Sequence, residues 1–252
     1  MSRIPSALTA ALRGAAVAPR ILVASDFDGT LSHLVDHPPD ARPVDGAVTA
    51  LGALADVPGV TVALISGRAL ESLRAVAGVG PPVRLIGSHG AEDEDGFGSA
   101  VDTALRDRII AALNEIATGQ SGVTVEPKPA GAALHVRNAA PEVGAAALER
   151  ARTAGDGWNA RVTEGKAVLE FSVVHTDKGS AIDKLRSSTG ADAVVFLGDD
   201  VTDETVFAVL GPADIGVKIG DGPSRAEFRI ESPEDAVVML EFLRAARVDQ
   251  LL

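Results

Sequence analysis

The sequence has no cysteine, no tyrosine and a single tryptophan, and only 3% of it is aromatic. Without thiols there is no disulfide framework and no thiolate metal site, and a reducing, cytoplasmic setting is the expectation. Positive charge is scarce as well: 23 Lys and Arg stand against 35 Asp and Glu, a formal net charge of -12. Such a chain repels polyanions at long range, so nucleic acid and anionic membrane surfaces are not expected partners, and any site that handles phosphate needs a local cation. No apolar run approaches the roughly 20 residues that a membrane span requires. The opening MSRIPSALTAALRGAAVAPR has an early arginine and small residues near Ala18, but Pro5, Arg13 and Gly14 interrupt it. A short N-terminal helix is expected there rather than a signal peptide. What is present is ordinary globular composition, 46% hydrophobic and 23% charged over 252 residues, with no internal repeat or low-complexity segment. That length suffices for one large domain or two modest ones with a true core.

Strand-like and helix-like patterns alternate at the start: 21–25, 45–56, 60–65, 69–77 and 83–86. This βαβαβ order predicts a parallel sheet covered by helices on both faces. AEDEDGFG at 91–98 then reads as a linker or exposed turn. From 99 to 175 the texture becomes helix, strand, strand, helix, strand, strand, with Leu105, Ile109, Leu113 and Ile116 on one helical stripe and Val143, Ala147 and Leu148 on another. The strands alternate: Val123 and Val125 oppose Thr124, Glu126 and Lys128; Leu134 and Val136 oppose His135 and Arg137; Ala167, Leu169 and Phe171 oppose Lys166 and Glu170. One sheet face is therefore expected to carry Glu126, Lys128, His135, Arg137, Lys166 and Glu170. After Thr176 the first texture resumes, with a helix at 178–187, a strand at 193–198, a helix at 203–210, the strand-like DIGVKIG and a last helix that opens on Ser232, Pro233, Glu234 and Asp235. The expected fold is α/β, a Rossmann-like parallel-sheet core (1–98 and 176–252) with a smaller α+β cap domain inserted at 99–175.

Ligands of open parallel sheets bind beyond the carboxyl ends of the strands. There the first strand delivers Asp26 and Asp28, the second Ser66, Gly67 and Arg68, and AVVFLG delivers Asp199, Asp200 and then Asp203, while Lys178 opens the preceding helix. Clustered carboxylates repel one another unless a cation sits among them, and hard oxygen donors favour Mg²⁺. Such an ion with Lys178 makes a cationic pocket suited to a phosphoryl group. Of two acids at i and i+2, one can attack phosphorus while the other protonates the leaving alkoxide and then activates water. Asp-Phe-Asp-Gly by itself reads equally well as a turn; the other strand-end residues favour chemistry.

DFDGT at 26–30, Ser66, Lys178 and GDDVTD at 198–203 resemble, in that order, the four motifs of the haloacid dehalogenase superfamily. Within it, the sequence is similar to the trehalose-6-phosphate phosphatase family through DFDGTLS, ISGR, GSHGAE, VEPKPAGAALHVR, EGKAVLE, DKG and FLGDDVTDE, from Ile21 onwards. The resemblance implies a nucleophile at Asp26 and a general acid/base at Asp28. It implies Mg²⁺ on the Asp26 side chain, the Asp28 main-chain carbonyl and Asp199, with Asp200 and Asp203 behind them. Ser66, Gly67 and Lys178 are expected to bind the phosphoryl group; Arg68, His89, Glu126, Lys128, Arg137 and Glu170 are expected to meet the substrate, with a structural hydrogen bond the equal alternative for His89. The small module would act as a lid that excludes water. A small-molecule sugar phosphate is the expected partner, trehalose-6-phosphate synthase the candidate protein partner, and a monomer the expected state.

The sequence departs from the family in two places. Phe171, Ser172 and Val173 stand where an Arg-Pro pair commonly follows the glutamate, and His33-Leu34 where a proline is usual. Alternatives are therefore a phosphatase for sucrose 6-phosphate or a glucosyl-phosphoglycerate, and a non-catalytic sensor of trehalose 6-phosphate. Trp158 is expected to pack the small module, and His33, His37 and His175 have no assigned role.

Overall fold

The computed structural model describes residues 4–165 and 167–251. The chain divides into two compact units, Met1–Gly96 with Thr176–Leu252, and Phe97–His175. Lys166 lies outside the described residues.

The larger unit begins with helix α1 (Ser6–Ala15), which buries Leu8, Leu12 and Ala15. Strand β1 (Ile21–Ser25), helix α2 (Ala47–Ala55), strand β2 (Val60–Ile65), helix α3 (Leu70–Ala77) and strand β3 (Arg84–Ile86) follow. After the second unit come α6 (Lys178–Thr189), β10 (Ala193–Gly198), α7 (Glu204–Phe207), β11 (Ile215–Ile219), β12 (Phe228–Ile230) and α8 (Pro233–Asp249). The six strands form one sheet in the order β12-β11-β10-β1-β2-β3, and every neighbouring pair is parallel. β1 lies in the middle and all five of its residues are buried. Ile21 and Val23 join one apolar cluster with α1, α2 and α8 residues, while Leu22 and Ala24 join another with Ile182, Leu185 and Phe207. This two-sided burial is why β1 reads as an unbroken apolar run; each large side chain so buried contributes about 1.5–3 kcal/mol.

Local signals set the helix ends. Ser232 accepts from the Asp235 N–H at the start of α8, with Pro233, Glu234 and Asp235 in its first turn. Asp177 accepts from the Ser180 N–H at 2.8 Å and opens α6. Near the end of α8 the buried Arg247 donates to the Ala16, Ala18 and Pro19 carbonyls at 2.7–2.9 Å. The helix expected at 203–210 is shorter, Glu204–Phe207, and β12 was not anticipated, because three residues are too few to show a period. The acidic 91–98 segment holds two two-residue strands, β4 (Glu92–Asp93) and β5 (Gly96–Phe97), rather than a plain linker.

The smaller unit comprises α4 (Thr103–Ala117), β6 (Thr124–Lys128), β7 (Gly131–His135), α5 (Pro141–Gly155), β8 (Arg161–Gly165) and β9 (Val168–Ser172). Its sheet runs β6-β7-β9-β8 and is antiparallel throughout. α4 buries Leu105, Ile109, Leu113 and Ile116, and α5 buries Gly144, Ala147 and Ala151. Trp158 packs edge-on against Phe171 with ring centroids 5.1 Å apart.

Candidate active site

The chemistry-bearing residues gather beyond the carboxyl ends of β1, β2 and β10. Asp26 continues β1, its N–H donating to the Leu197 carbonyl of β10 at 2.9 Å, and it is 5% exposed. Lys178, the first residue of α6, is buried with its Nζ 3.0 Å from Asp26 Oδ1 and 2.8 Å from Asp203 Oδ1. Asp203 Oδ2 accepts the Asp199 and Asp200 N–H groups, each at 2.9 Å. A Cβ on Gly198 would fall 2.3 Å from Asp203 Cγ, so only glycine lets that carboxylate fold beneath the loop.

Asp199 Oδ1 accepts from the Thr30 hydroxyl at 3.2 Å. Gly29 has φ +81° and a Cβ there would stand 2.1 Å from Asp199 Oδ2, which accounts for the glycine in DFDGT. Oxygens of Asp26, Asp199 and Asp203 lie within 4.8 Å of one another. Burial pushes the Asp26 carboxyl well above its usual range; Lys178 pulls it back and the Asp203 and Asp199 charges push further. Burial, then Asp203, raises Asp199 to about 7. Burial disfavours the Lys178 ammonium, yet Asp203 and Asp26 outweigh it and raise its pKa. Both oxygens of Asp203 are already engaged, by Lys178 and by two main-chain N–H groups. Asp203 thus orients its neighbours, and Asp26 and Asp199 are the carboxylates placed to hold a cation. One buried and one half-buried acid that resist ionisation without one, with oxygen donors only, fit a hard divalent ion.

Asp28 lies beside this cluster, gripped by Arg68, whose Nε and Nη2 donate to its two oxygens at 2.6 and 2.7 Å. Arg68 also lies over the Phe27 ring, 5.9 Å from its centroid. Ser66 is buried, and its hydroxyl accepts the Arg68 N–H at 3.2 Å. The His89 imidazole lies against Gly67, where a Cβ would come within 2.5 Å of the ring. Ser88 and His89 both take positive φ, 50° and 55°. The His89 N–H donates to the Ser66 carbonyl at 2.9 Å, so this strained turn is tied to the Ser66 loop. Asp200 is exposed and joins the cluster through its main-chain N–H.

In the smaller unit, strand register puts Glu126, Lys128, His135 and Glu170 on one face. Lys128 Nζ is 2.5 Å from Glu170 Oε2, and His135 Nε2 is 2.9 Å from Glu126 Oε2. The His135 contact is the main cause holding the Glu126 carboxyl below its usual range. β7 ends at His135, the Val136 N–H still donates to the Ala167 carbonyl at 3.0 Å, and Arg137 is exposed in the turn that follows. Ala167 likewise stands before β9 with φ 62°.

Several residues here escaped the sequence reading. Thr30 is one. Glu92 is another; its Oε2 accepts from the Leu70 N–H at 2.8 Å and the Ser88 hydroxyl at 3.2 Å. Arg161 pairs across from Ser172 on the polar face. Lys218, at the end of an apolar strand, donates to the Asp199 carbonyl. A lone lysine in DIGVKIG, beside the end of AVVFLG, was the available signal.

A sequence profile described as trehalose-phosphatase matches residues 24–234. A trehalose-phosphate phosphatase of Mycobacterium marinum is 37% identical over 252 aligned positions, covering 92% of this chain and 64% of the relative. That of Mycobacterium avium is 38% identical, covering 96% and 67%. The chain thus spans 64% of the length of the M. marinum relative. The C-terminal domain of a C. albicans trehalose-6-phosphate phosphatase superposes with TM-score 0.82 at 22% identity, covering 97% of this chain and 99% of that one, a likeness of fold. Among the described residues no helix is long and apolar enough to cross a membrane.

Proposed function

Given that the chain belongs to the trehalose-phosphatase family, we propose that it hydrolyses trehalose 6-phosphate to trehalose and inorganic phosphate through an aspartyl-phosphate on Asp26. The observation that carries this reading is the buried Asp26 carboxylate at the end of β1, 3.0 Å from the Lys178 ammonium and beside Asp199.

Asp26 attacks phosphorus as the bond to the sugar oxygen breaks, and that oxygen takes a proton from Asp28. Water then attacks the phosphorus, giving its proton to Asp28, and the phosphate leaves Asp26. Lys178 sets positive charge beside the oxygens that gather negative charge, in a site too buried for water to screen it. Ser66 and the Gly67 N–H orient the phosphoryl group. Arg68 grips Asp28 at both oxygens in the resting site, so the acid role requires that fork to open. Asp26, Asp199 and the Asp28 main-chain carbonyl would hold Mg²⁺, which would supply positive charge against the phosphoryl oxygens. In the smaller unit Glu126, Lys128 and Glu170 read the sugar hydroxyls, since paired charges of both signs offer donors and acceptors together.

The test is phosphate release from trehalose 6-phosphate, sucrose 6-phosphate and a glucosyl-phosphoglycerate, each with Mg²⁺ and again with EDTA. Fast release from the trehalose ester alone, lost in EDTA, is expected. Faster release from another ester would reassign the substrate, and none from any would leave a binding module.

A further inference from the structure

Beyond the four motif positions, the site contains a second buried lysine. Lys218 sits at the carboxyl end of β11, in register with Gly198 of β10, and is 5% exposed. Its Nζ donates to the Asp199 carbonyl. The N–H at the other end of that same peptide, from Asp200, donates to Asp203 Oδ2, and Asp203 Oδ1 accepts from Lys178, which also reaches Asp26. One polar chain therefore runs from Lys218 through the 199–200 peptide, Asp203 and Lys178 to Asp26.

Resting on the reading above, we propose that Lys218 is a positioning residue. It anchors the far end of this chain, fixing the peptide that aims the Asp199 carboxylate at the divalent cation and the carboxylate that orients Lys178. Two physical arguments support the assignment. A buried ammonium is a costly way to satisfy one carbonyl in a strand whose other side chains, those of Ile215, Val217 and Ile219, are buried hydrophobics, so stability alone gives it little reason to be there. Linked hydrogen bonds in a low-dielectric site also hold one another in place, so loss of the end link loosens those that follow.

The sign of the effect separates positioning from bare charge. Removing a cation near a metal site strengthens divalent binding by Coulomb's law, whereas removing a group that orients a ligand weakens it. The experiment is calorimetric titration of Mg²⁺ into wild type, Lys218→Met and Lys218→Gln, with melting temperatures and steady-state kinetics on trehalose 6-phosphate. Lys218→Met is expected to melt no lower than wild type, to bind Mg²⁺ about tenfold or more weaker, and to lose kcat with KM held within about threefold. Lys218→Gln, which keeps a shorter donor, should fall between. Unchanged or tighter Mg²⁺ binding in a folded variant would overturn the proposal, as would failure of both variants to fold, which would make Lys218 structural. A wild type that takes up Mg²⁺ but releases no phosphate would instead overturn the proposed function, leaving the calorimetric arm to judge Lys218.

Discussion

The two sheets of this molecule carry charge in opposite ways. The central strands of the parallel sheet are buried on both faces, so the buried polar groups gather where those strands stop, and there they are locked: Asp203 by itself accepts three hydrogen bonds. The antiparallel sheet is apolar on one face only, so its charges alternate along the strands and meet as pairs, Lys128 with Glu170 and His135 with Glu126. Strand ends hold a few groups in one arrangement, of the kind that bond-making requires. An open sheet face offers many groups at a regular spacing, suited to reading a shape rich in hydroxyls.

Four variants or conditions would break or sharpen that contrast. The largest effect is expected from Asp26→Asn, which should cut turnover of every phosphate ester by about four orders of magnitude or more, the scale of losing a nucleophile. Its melting temperature should hold or rise, because a neutral amide replaces a buried acid that resists ionisation; a folded variant that still releases phosphate at the normal rate would end the mechanism. Asp203→Asn comes next. It leaves Lys178 with a single carboxylate and weakens the turn at 199–200, so activity should fall about a hundredfold and the protein should melt lower, both read on one preparation. Third, Lys128→Met should raise KM for trehalose 6-phosphate about tenfold while sparing hydrolysis of a small aryl phosphate. Equal losses on both substrates would place Lys128 in the chemistry rather than in recognition.

The smallest expected effect is one of pH. In metal-free protein the Asp199 pKa is about 7, raised from 3.8. A carboxyl raised on folding binds more protons folded than unfolded, so its contribution to stability is complete below pH 3.8 and is lost as pH rises through 7. Melting of the EDTA-treated protein should therefore drop between about pH 5 and 7.5. Mg²⁺ should restore it at the upper end, and Asp199→Asn should flatten the curve.

Much of the larger unit could be read from the sequence because burial on two faces leaves unbroken apolar runs. Ile21 to Ser25 and Ala193 to Gly198 announce themselves, and the acids that follow stand out against them. Alternation made Glu126, Lys128, His135 and Glu170 legible as one face. It could not say where β7 stops, because Val136 and Arg137 continue the period beyond His135. The bond from Lys218 to Asp199 and the grip of Arg68 on Asp28 were hidden for another reason. Both join residues at the ends of different strands, and partner choice across a sheet depends on strand order, which no local pattern encodes.

That order also sets a timetable. β1 pairs with β10, and Arg20 and Asp192, which flank the pair, are 172 positions apart with the whole smaller unit between them. During synthesis the strand that leads to Asp26 leaves the ribosome early, yet one of its two neighbours, along with Lys178, emerges only after that unit has been translated. The surroundings of the Asp26 carboxylate are thus assembled late. A nascent chain arrested before Ala193 carries Asp26 on a half-built sheet, without Asp199 and Asp203 beside it.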